Sequence, residues 1–132
     1  MEIDHLGLAV RDLAAVLPSW ERISGSAASP PEEVPSQKVR VAFLEVGETH
    51  LEFLEPTDPT SPVARFLAAR GEGMHHVAFR VPNVDQKLAE LARQGTRLID
   101  SASRPGARGR RVGFAHPSAF AGTLVEFVER VP

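Results

Sequence analysis

Cysteine is absent from the sequence, which excludes a disulfide framework and a thiolate metal site and leaves histidine and carboxylate as the available ligands. Lysine is nearly absent too, two residues against thirteen arginines, and tyrosine is missing. The formal net charge is −2 and the pI about 6.2, so no basic surplus points to nucleic acid or to an anionic membrane surface. No apolar run approaches the roughly 18 residues of a membrane-spanning helix. The first ten residues have neither the basic segment nor the apolar stretch of a secretory signal. These absences read as a soluble, cytoplasmic chain with no nucleic-acid or membrane partner. At 132 residues it has room for one domain, or for two small modules sharing a core.

What is present is a duplication. His5 in "IDHLGLAV" recurs 71 positions on as His76 in "MHHVAFRV", and Glu52 in "HLEFLE" recurs 74 positions on as Glu126 in "LVEFVE". Each half supplies one imidazole on its first strand and one carboxylate on its last.

The pattern between these anchors gives the elements. Ile3 to Val10 alternates as a strand, with Leu6, Leu8 and Val10 on one face and His5, Gly7 and Ala9 on the other. Asp12 is placed to cap a helix with the stripe Leu13, Val16, Leu17, Trp20 and Ile23, stopped by Gly25. Pro18 inside it predicts a kink or a restart. Residues 26–36 read as a loop or ragged edge strand. Val39 to Val46 and Thr49 to Glu55 read as a hairpin turning at Gly47-Glu48, and a short helix from about Pro62 to Arg70 ends at Gly71-Glu72-Gly73. The second half repeats the order: a strand from Met74 to Val81, a helix from Val84 to Arg93 with Val84, Leu88, Leu91 and Ala92 inward, then strands at Arg97 to Ile99, Arg111 to Ala115 and Thr123 to Glu129. The expected fold is therefore α+β: two tandem βαβββ modules (1–56 and 73–132, joined by a helix at about 61–71) in one domain, pairing into an open eight-stranded barrel-like sheet around a metal cleft.

Strand alternation decides which way the candidate ligands face. Leu51 and Phe53 oppose Glu52, Val125 and Phe127 oppose Glu126, and Val77 and Phe79 oppose His76. If the apolar sides pack on the helices, both carboxylates point into the cleft. A single strand histidine is more often a structural residue than a ligand. Two His and two Glu at equivalent repeat positions are a different matter, because a cleft carboxylate needs a cation to offset its desolvation. His75 and His76 are neighbours and face opposite ways, and the repeat selects His76. His75 reads as structural, and His50 and His116 as supporting or turn residues. Such N2O2 ligation suits Co2+, Mn2+, Ni2+, Zn2+ or Fe2+ and leaves positions free for a chelating substrate.

This plan resembles the vicinal oxygen chelate (glyoxalase/bleomycin resistance/dioxygenase) superfamily and, within it, the methylmalonyl-CoA epimerase family over essentially the whole chain. The segments that carry the resemblance are "IDHLGLAV", "VPSQKVRVAFLEVGETHLEFLEP", "SPVARFLAARGEGMHHVAFRV", "RPGARGRRVGFAHP" and "GTLVEF". The resemblance implies a divalent metal, cobalt favoured, on His5, Glu52, His76 and Glu126. It also implies an acyl-CoA substrate, a homodimer, and interconversion of (2R)- and (2S)-methylmalonyl-CoA through a metal-stabilised enolate, with Glu126 as one base. Some members carry a second catalytic Glu on the third strand, where this chain has Val41; Gln37, Glu45, Glu48 or a metal-bound water are then candidates for relaying the second proton.

The stretch Arg104 to Arg111 holds four arginines, Arg104, Arg108, Arg110 and Arg111, in a glycine-bearing loop, suited either to a solvated turn or to capture of CoA phosphates. Ser118 to Gly122 would form the adjoining turn over the thioester. Arg80 is a further candidate anion contact, with a rim salt bridge as the duller alternative. Gln37, Arg104, Arg110, Arg111 and Gly122 are thus the candidate substrate-binding residues. Rival readings are a glyoxalase I-type lyase acting on a glutathione hemithioacetal, a ring-cleaving dioxygenase, which would carry three protein ligands rather than four, and a metal-free drug-sequestering module.

Overall fold

The structure, a computed structural model, describes residues 1–129; residues 130–132, the end of the expected second module, lie outside the described residues. The secondary structure is α+β, with eight strands and three α-helices among the described residues. The chain divides into two compact units, His5–His75 (the N-terminal unit) and Met1–Asp4 with His76–Pro132 (the C-terminal unit).

β1 (Glu2–Ala9), which belongs to the N-terminal unit from His5 on, leads into α1 (Leu13–Ser24). The Asp12 side chain accepts from the Ala14 N–H at 3.0 Å, and Gly25 closes the helix in the left-handed conformation at φ 72°. Both ends are the ones the sequence marks. Pro18 does not break α1, which runs through it as one twelve-residue helix. The stripe Val16, Leu17 and Trp20 packs on Leu8, Val10, Leu13, Ala42, Leu44 and Phe53. Ile23, expected to extend that stripe, is 78% exposed, because the last turn has passed the edge of the apolar layer. The strands β2 (Glu32–Val34), β3 (Val39–Val46) and β4 (Thr49–Pro56) follow, and the order is β2-β3-β4-β1. β3 and β4 pair antiparallel over eight residues through the Gly47-Glu48 turn, while β4 runs parallel to β1. The helix α2 (Pro62–Arg70) ends at Gly71, with the Ser61 hydroxyl accepting from the Val63 N–H at its start.

The second half of the chain repeats this order with β5 (Gly73–Val81), which belongs to the C-terminal unit from His76 on, α3 (Val84–Arg93), β6 (Arg104–Pro105), β7 (Arg111–Ala115) and β8 (Leu124–Glu129), arranged β5-β8-β7-β6. Asn83 caps α3 by accepting from the Gln86 N–H at 2.9 Å. Val84 and Leu88 are fully buried against Ala115, Val125 and Phe127, with Leu91 packed beside them. Two expectations are corrected. Ala92 is exposed, beyond the rim of the face that Val84, Leu88 and Leu91 turn to the core. The strand expected at Arg97 to Ile99 is only an isolated bridge between Leu98 and Ala115; the edge strand is Arg104–Pro105, which pairs with β7. Three residues with a single apolar position turned inward do not make a ladder, whereas Arg104 lies opposite Val112 in register.

Gly113 lets α3 lie close on β7: a Cβ there would meet Leu88 Cδ1 at 2.8 Å and Val84 Cγ1 at 3.0 Å. Overpacking of this kind costs about 1–3 kcal/mol. Gly113→Ala is expected to lower the thermal midpoint, read by circular dichroism; an unchanged midpoint would show that Leu88 swings clear.

Candidate metal and acid-base site

Within the N-terminal unit His5 and Gly7 share one face of β1, and Gly7 is the register partner of Glu52 on β4. On the other side of Glu52 lies Phe43 of β3. The His5 Nε2 and Glu52 Oε1 atoms stand 3.6 Å apart, and both side chains are almost wholly buried. The His50 ring, beside His5 in register, stacks on it at 5.1 Å with a 23° tilt, and Phe43 meets His50 edge-on.

The C-terminal unit builds the same arrangement. His76 and Ala78 share a face of β5, Ala78 is the register partner of Glu126, and Phe114 of β7 flanks Glu126 on its other side. The His76 Nε2 and Glu126 Oε1 atoms are 3.2 Å apart, again buried. Phe114 packs edge-on against the His76 ring at 6.0 Å. Where the first unit has His50 next to its histidine, this one has Leu124. In each unit a residue without a bulky side chain, Gly7 or Ala78, stands in register with the carboxylate.

Each pair fits one divalent ion. Nitrogen and oxygen donors bonded at about 2.0–2.2 Å lie about 3.0 Å apart when they subtend a right angle and about 3.4 Å apart at the tetrahedral angle. The two observed separations fall close to that range. Borderline imidazole and carboxylate donors without sulfur match a first-row divalent ion rather than a thiophilic one.

The remaining candidates go to different places. Arg104 lies on the same face as Glu126, its guanidinium 5.2 Å from the centre of the Phe114 ring and its Nε 3.4 Å from Asp100. Arg110 turns away from the other arginines of its loop: it holds Asp4 in a two-pronged fork at 2.7 and 3.1 Å and donates through Nε to the Glu129 carbonyl. Arg80 reaches Asp4, Glu2 and the Ile3 carbonyl, as a rim ion pair does. Arg111 binds Ser103 twice. Ser103 in turn ties down Asp85, whose carboxyl is held below its usual range by the Ser103 backbone N–H first, then by the Ser103 hydroxyl, with a smaller pull from Arg111. Arg108 is exposed at φ 60°. Gln37 is half-buried in a single 3-10 turn, its carbonyl accepting from Ser61. Gly122 closes the turn after Pro117 at φ 82°, its N–H bonded to the Pro117 carbonyl.

Glu45 and Glu48 are exposed, and Val41 is buried. His116 caps its own 3-10 turn through Ser118, and His75 packs on Phe66 of α2. The Asp4–Arg110 fork joins residues 106 apart and left no mark in the sequence pattern. The two flanking phenylalanines did leave one: Phe43 recurs as Phe114 at the same offset of 71 that relates His5 to His76.

Comparison with known proteins gives a consistent outcome. The family model for the Glyoxalase/Bleomycin resistance protein/Dioxygenase superfamily matches residues 4–114. The mitochondrial methylmalonyl-CoA epimerase of Bos taurus is 34% identical, covering 94% of this chain and 71% of that protein. The methylmalonyl-CoA epimerase structure from Mycobacterium tuberculosis is 33% identical, with a TM-score of 0.92 over 98% of this chain and 88% of that one. A Streptomyces coelicolor methylmalonyl-CoA epimerase variant in complex with 2-nitronate-propionyl-CoA is 35% identical, with a TM-score of 0.93 over 99% and 95%. No helix among the described residues is long and apolar enough to cross a membrane.

Proposed function

The chain belongs to the Glyoxalase/Bleomycin resistance protein/Dioxygenase superfamily and within it to the methylmalonyl-CoA epimerases, which are isomerases, and from that premise we propose that it interconverts (2R)- and (2S)-methylmalonyl-CoA with the help of a divalent metal. The observation that carries this reading is the buried His–carboxylate pair, built on the same register in each of the two units. Relatives that act on methylmalonyl-CoA supply the substrate class: one is solved with methylmalonyl-CoA itself.

On this reading His5, Glu52, His76 and Glu126 hold the ion, cobalt being the first choice, in a single domain made of both units. The ion's contribution when bound is Lewis-acid stabilisation of the negative charge that develops on the thioester oxygen. Glu126 Oε removes the C2 proton of one epimer, and the C–H bonding pair passes into the enolate. Phe114, against both His76 and Glu126, keeps water from the carboxylate. Ala78 and Gly7 leave room for the acyl group. Arg104, near Phe114, is the best placed of the loop arginines for an anionic part of the substrate, with Arg111, Gln37 and Gly122 as further contacts. Arg110 serves the substrate through the shape of its loop, since its guanidinium is taken by Asp4 and Glu129. Assembly as a homodimer, the commonest state for a small enzyme, belongs to the same proposal.

The test is exchange at C2. The Co2+-loaded protein is incubated with one epimer of methylmalonyl-CoA in D2O, with and without EDTA. Deuterium incorporation together with loss of optical purity is expected, and EDTA should stop both. No exchange with any of the five metals would discard the function.

A further inference from the structure

Strand alternation sorts the arginines of the basic loop onto two faces of one sheet. Arg104 and Val112 pair in register, and their immediate neighbours Ser103 and Arg111 turn to the opposite side. There Arg111 binds Ser103, and Ser103 binds Asp85 of α3, the helix whose Val84 and Leu88 lie over Gly113 on that side. Arg104 takes the other face, which it shares with Val112 and Phe114 of β7 and with Val128 and Glu126 of β8.

Two contacts fix the Arg104 guanidinium. It leans from its own register position, opposite Val112, onto the ring of Phe114 two residues further along β7, 5.2 Å from the ring centre. Asp100 stands 3.4 Å from its Nε, and the Asp100 carboxylate is itself held by the Phe114 N–H at 2.9 Å. A planar cation pressed on a ring and backed by an anchored carboxylate is pre-organised, and a guanidinium receives a carboxylate through two parallel bonds. Distance selects which anion that is. Phe114 is the register partner of Glu126, and such partners stand about 5 Å apart, so the cation lies about one strand spacing to the side of Glu126. The guanidinium is within about 11 Å of the His76 ring centre, being 5.2 Å from Phe114, whose ring is 6.0 Å from that of His76. With C2 of the substrate against Glu126, a carboxylate on C2 has its oxygens within about 2.5 Å of that carbon, whereas the nearest CoA phosphate is about 15 Å away along an extended arm.

We propose, resting on the epimerase reading above, that Arg104 is a specificity-determining residue: it receives the free carboxylate of a 2-carboxyacyl thioester and so selects malonyl-type substrates over plain acyl thioesters. The same contact has a chemical use. Taking the C2 proton puts negative charge on the thioester beside an existing carboxylate, and a guanidinium on that carboxylate offsets the repulsion between them.

The test compares two ligands that share the CoA phosphates and differ in the carboxylate, methylmalonyl-CoA and propionyl-CoA, by calorimetric titration of the Co2+-saturated protein. The wild type is expected to bind methylmalonyl-CoA more tightly. Arg104→Ala should cut the ratio of the two affinities by about tenfold or more, as the loss of a charge-assisted bond does, while propionyl-CoA binds as it does to the wild type. Arg104→Lys keeps the charge and loses the fork; its ratio should fall between, and it carries the test if the alanine variant unfolds. Arg111→Ala, changed on the other face, should leave the ratio unmoved. Three outcomes would overturn the proposal: an equal loss for both ligands in folded Arg104→Ala, which would assign Arg104 to the CoA phosphates; a ratio that Arg104→Ala leaves unmoved or that shows no preference in the wild type; or a ratio lost as fully in Arg111→Ala. A wild type that keeps its preference but exchanges no C2 proton in D2O overturns the epimerase reading instead, so the two failures are distinguishable.

Discussion

Glu126→Gln is expected to lower interconversion of the methylmalonyl-CoA epimers by at least about a hundredfold, the lower end of what a positioned general base contributes. The amide keeps the size of the carboxylate and one oxygen donor. The fold should therefore survive, and the loss should fall on turnover rather than on the unfolding midpoint. Glu126 is almost wholly buried, with its carboxylate 3.2 Å from the His76 ring and Phe114 at its side. The informative readout is the pair of epimers assayed separately in D2O. Glu126→Gln should abolish exchange from the epimer whose C2 proton faces Glu126. Glu45→Gln, at an exposed strand end, should leave turnover essentially unchanged. Wild-type turnover in metal-loaded Glu126→Gln would remove it as a base.

Arg110→Ala is expected to be strongly destabilising. The guanidinium makes two charge-assisted bonds to Asp4 and a third to the Glu129 carbonyl, and its side chain is 11% exposed against 4% for Asp4. Removing one partner of a buried ion pair leaves the other charge desolvated, a loss of about 3–5 kcal/mol. Arg80, 3.2 Å from Asp4, offsets part of this, which places the expectation at the lower end. For a chain of this size that corresponds to a fall of about 10 °C in Tm. Replacing both partners together, as in Asp4→Leu with Arg110→Met, should recover much of the loss, because the pair contributes far less than the cost of orphaning half of it. Equal midpoints for Arg110→Ala and the wild type would mean that Arg80 alone neutralises Asp4.

The behaviour of Arg110 also bears on the basic loop as a whole. In the sequence, Arg104, Arg108, Arg110 and Arg111 look alike, four cations within eight residues. In the fold they part company: Arg104 lies over Phe114, Arg110 clamps Asp4, and Arg111 is bound to Ser103. If CoA phosphates are captured here, Arg104→Ala should weaken substrate binding without changing stability, whereas Arg110→Ala should lower stability and reach binding only through the loop it shapes.

What the sequence by itself determined was the content of each repeat. The two His–Glu pairs, the faces they occupy, the helix capped at Asp12 and the Gly47-Glu48 hairpin rest on periodicity, capping and turn chemistry, all of which act over a few neighbouring residues and are written locally. His76 could be chosen over His75 for the same reason, since a strand alternates strictly. Tertiary structure decided the rest. Ile23 carried the helical period but lies past the end of the layer its helix covers, and that layer's extent is not a property of α1. The edge strand sits at Arg104–Pro105 rather than at Arg97 to Ile99, because pairing depends on what β7 presents and not on the segment's own pattern. Asp4 and Arg110 found each other across 106 positions: a buried charge takes whichever opposite charge the fold brings near, and nothing local to either residue says which that will be.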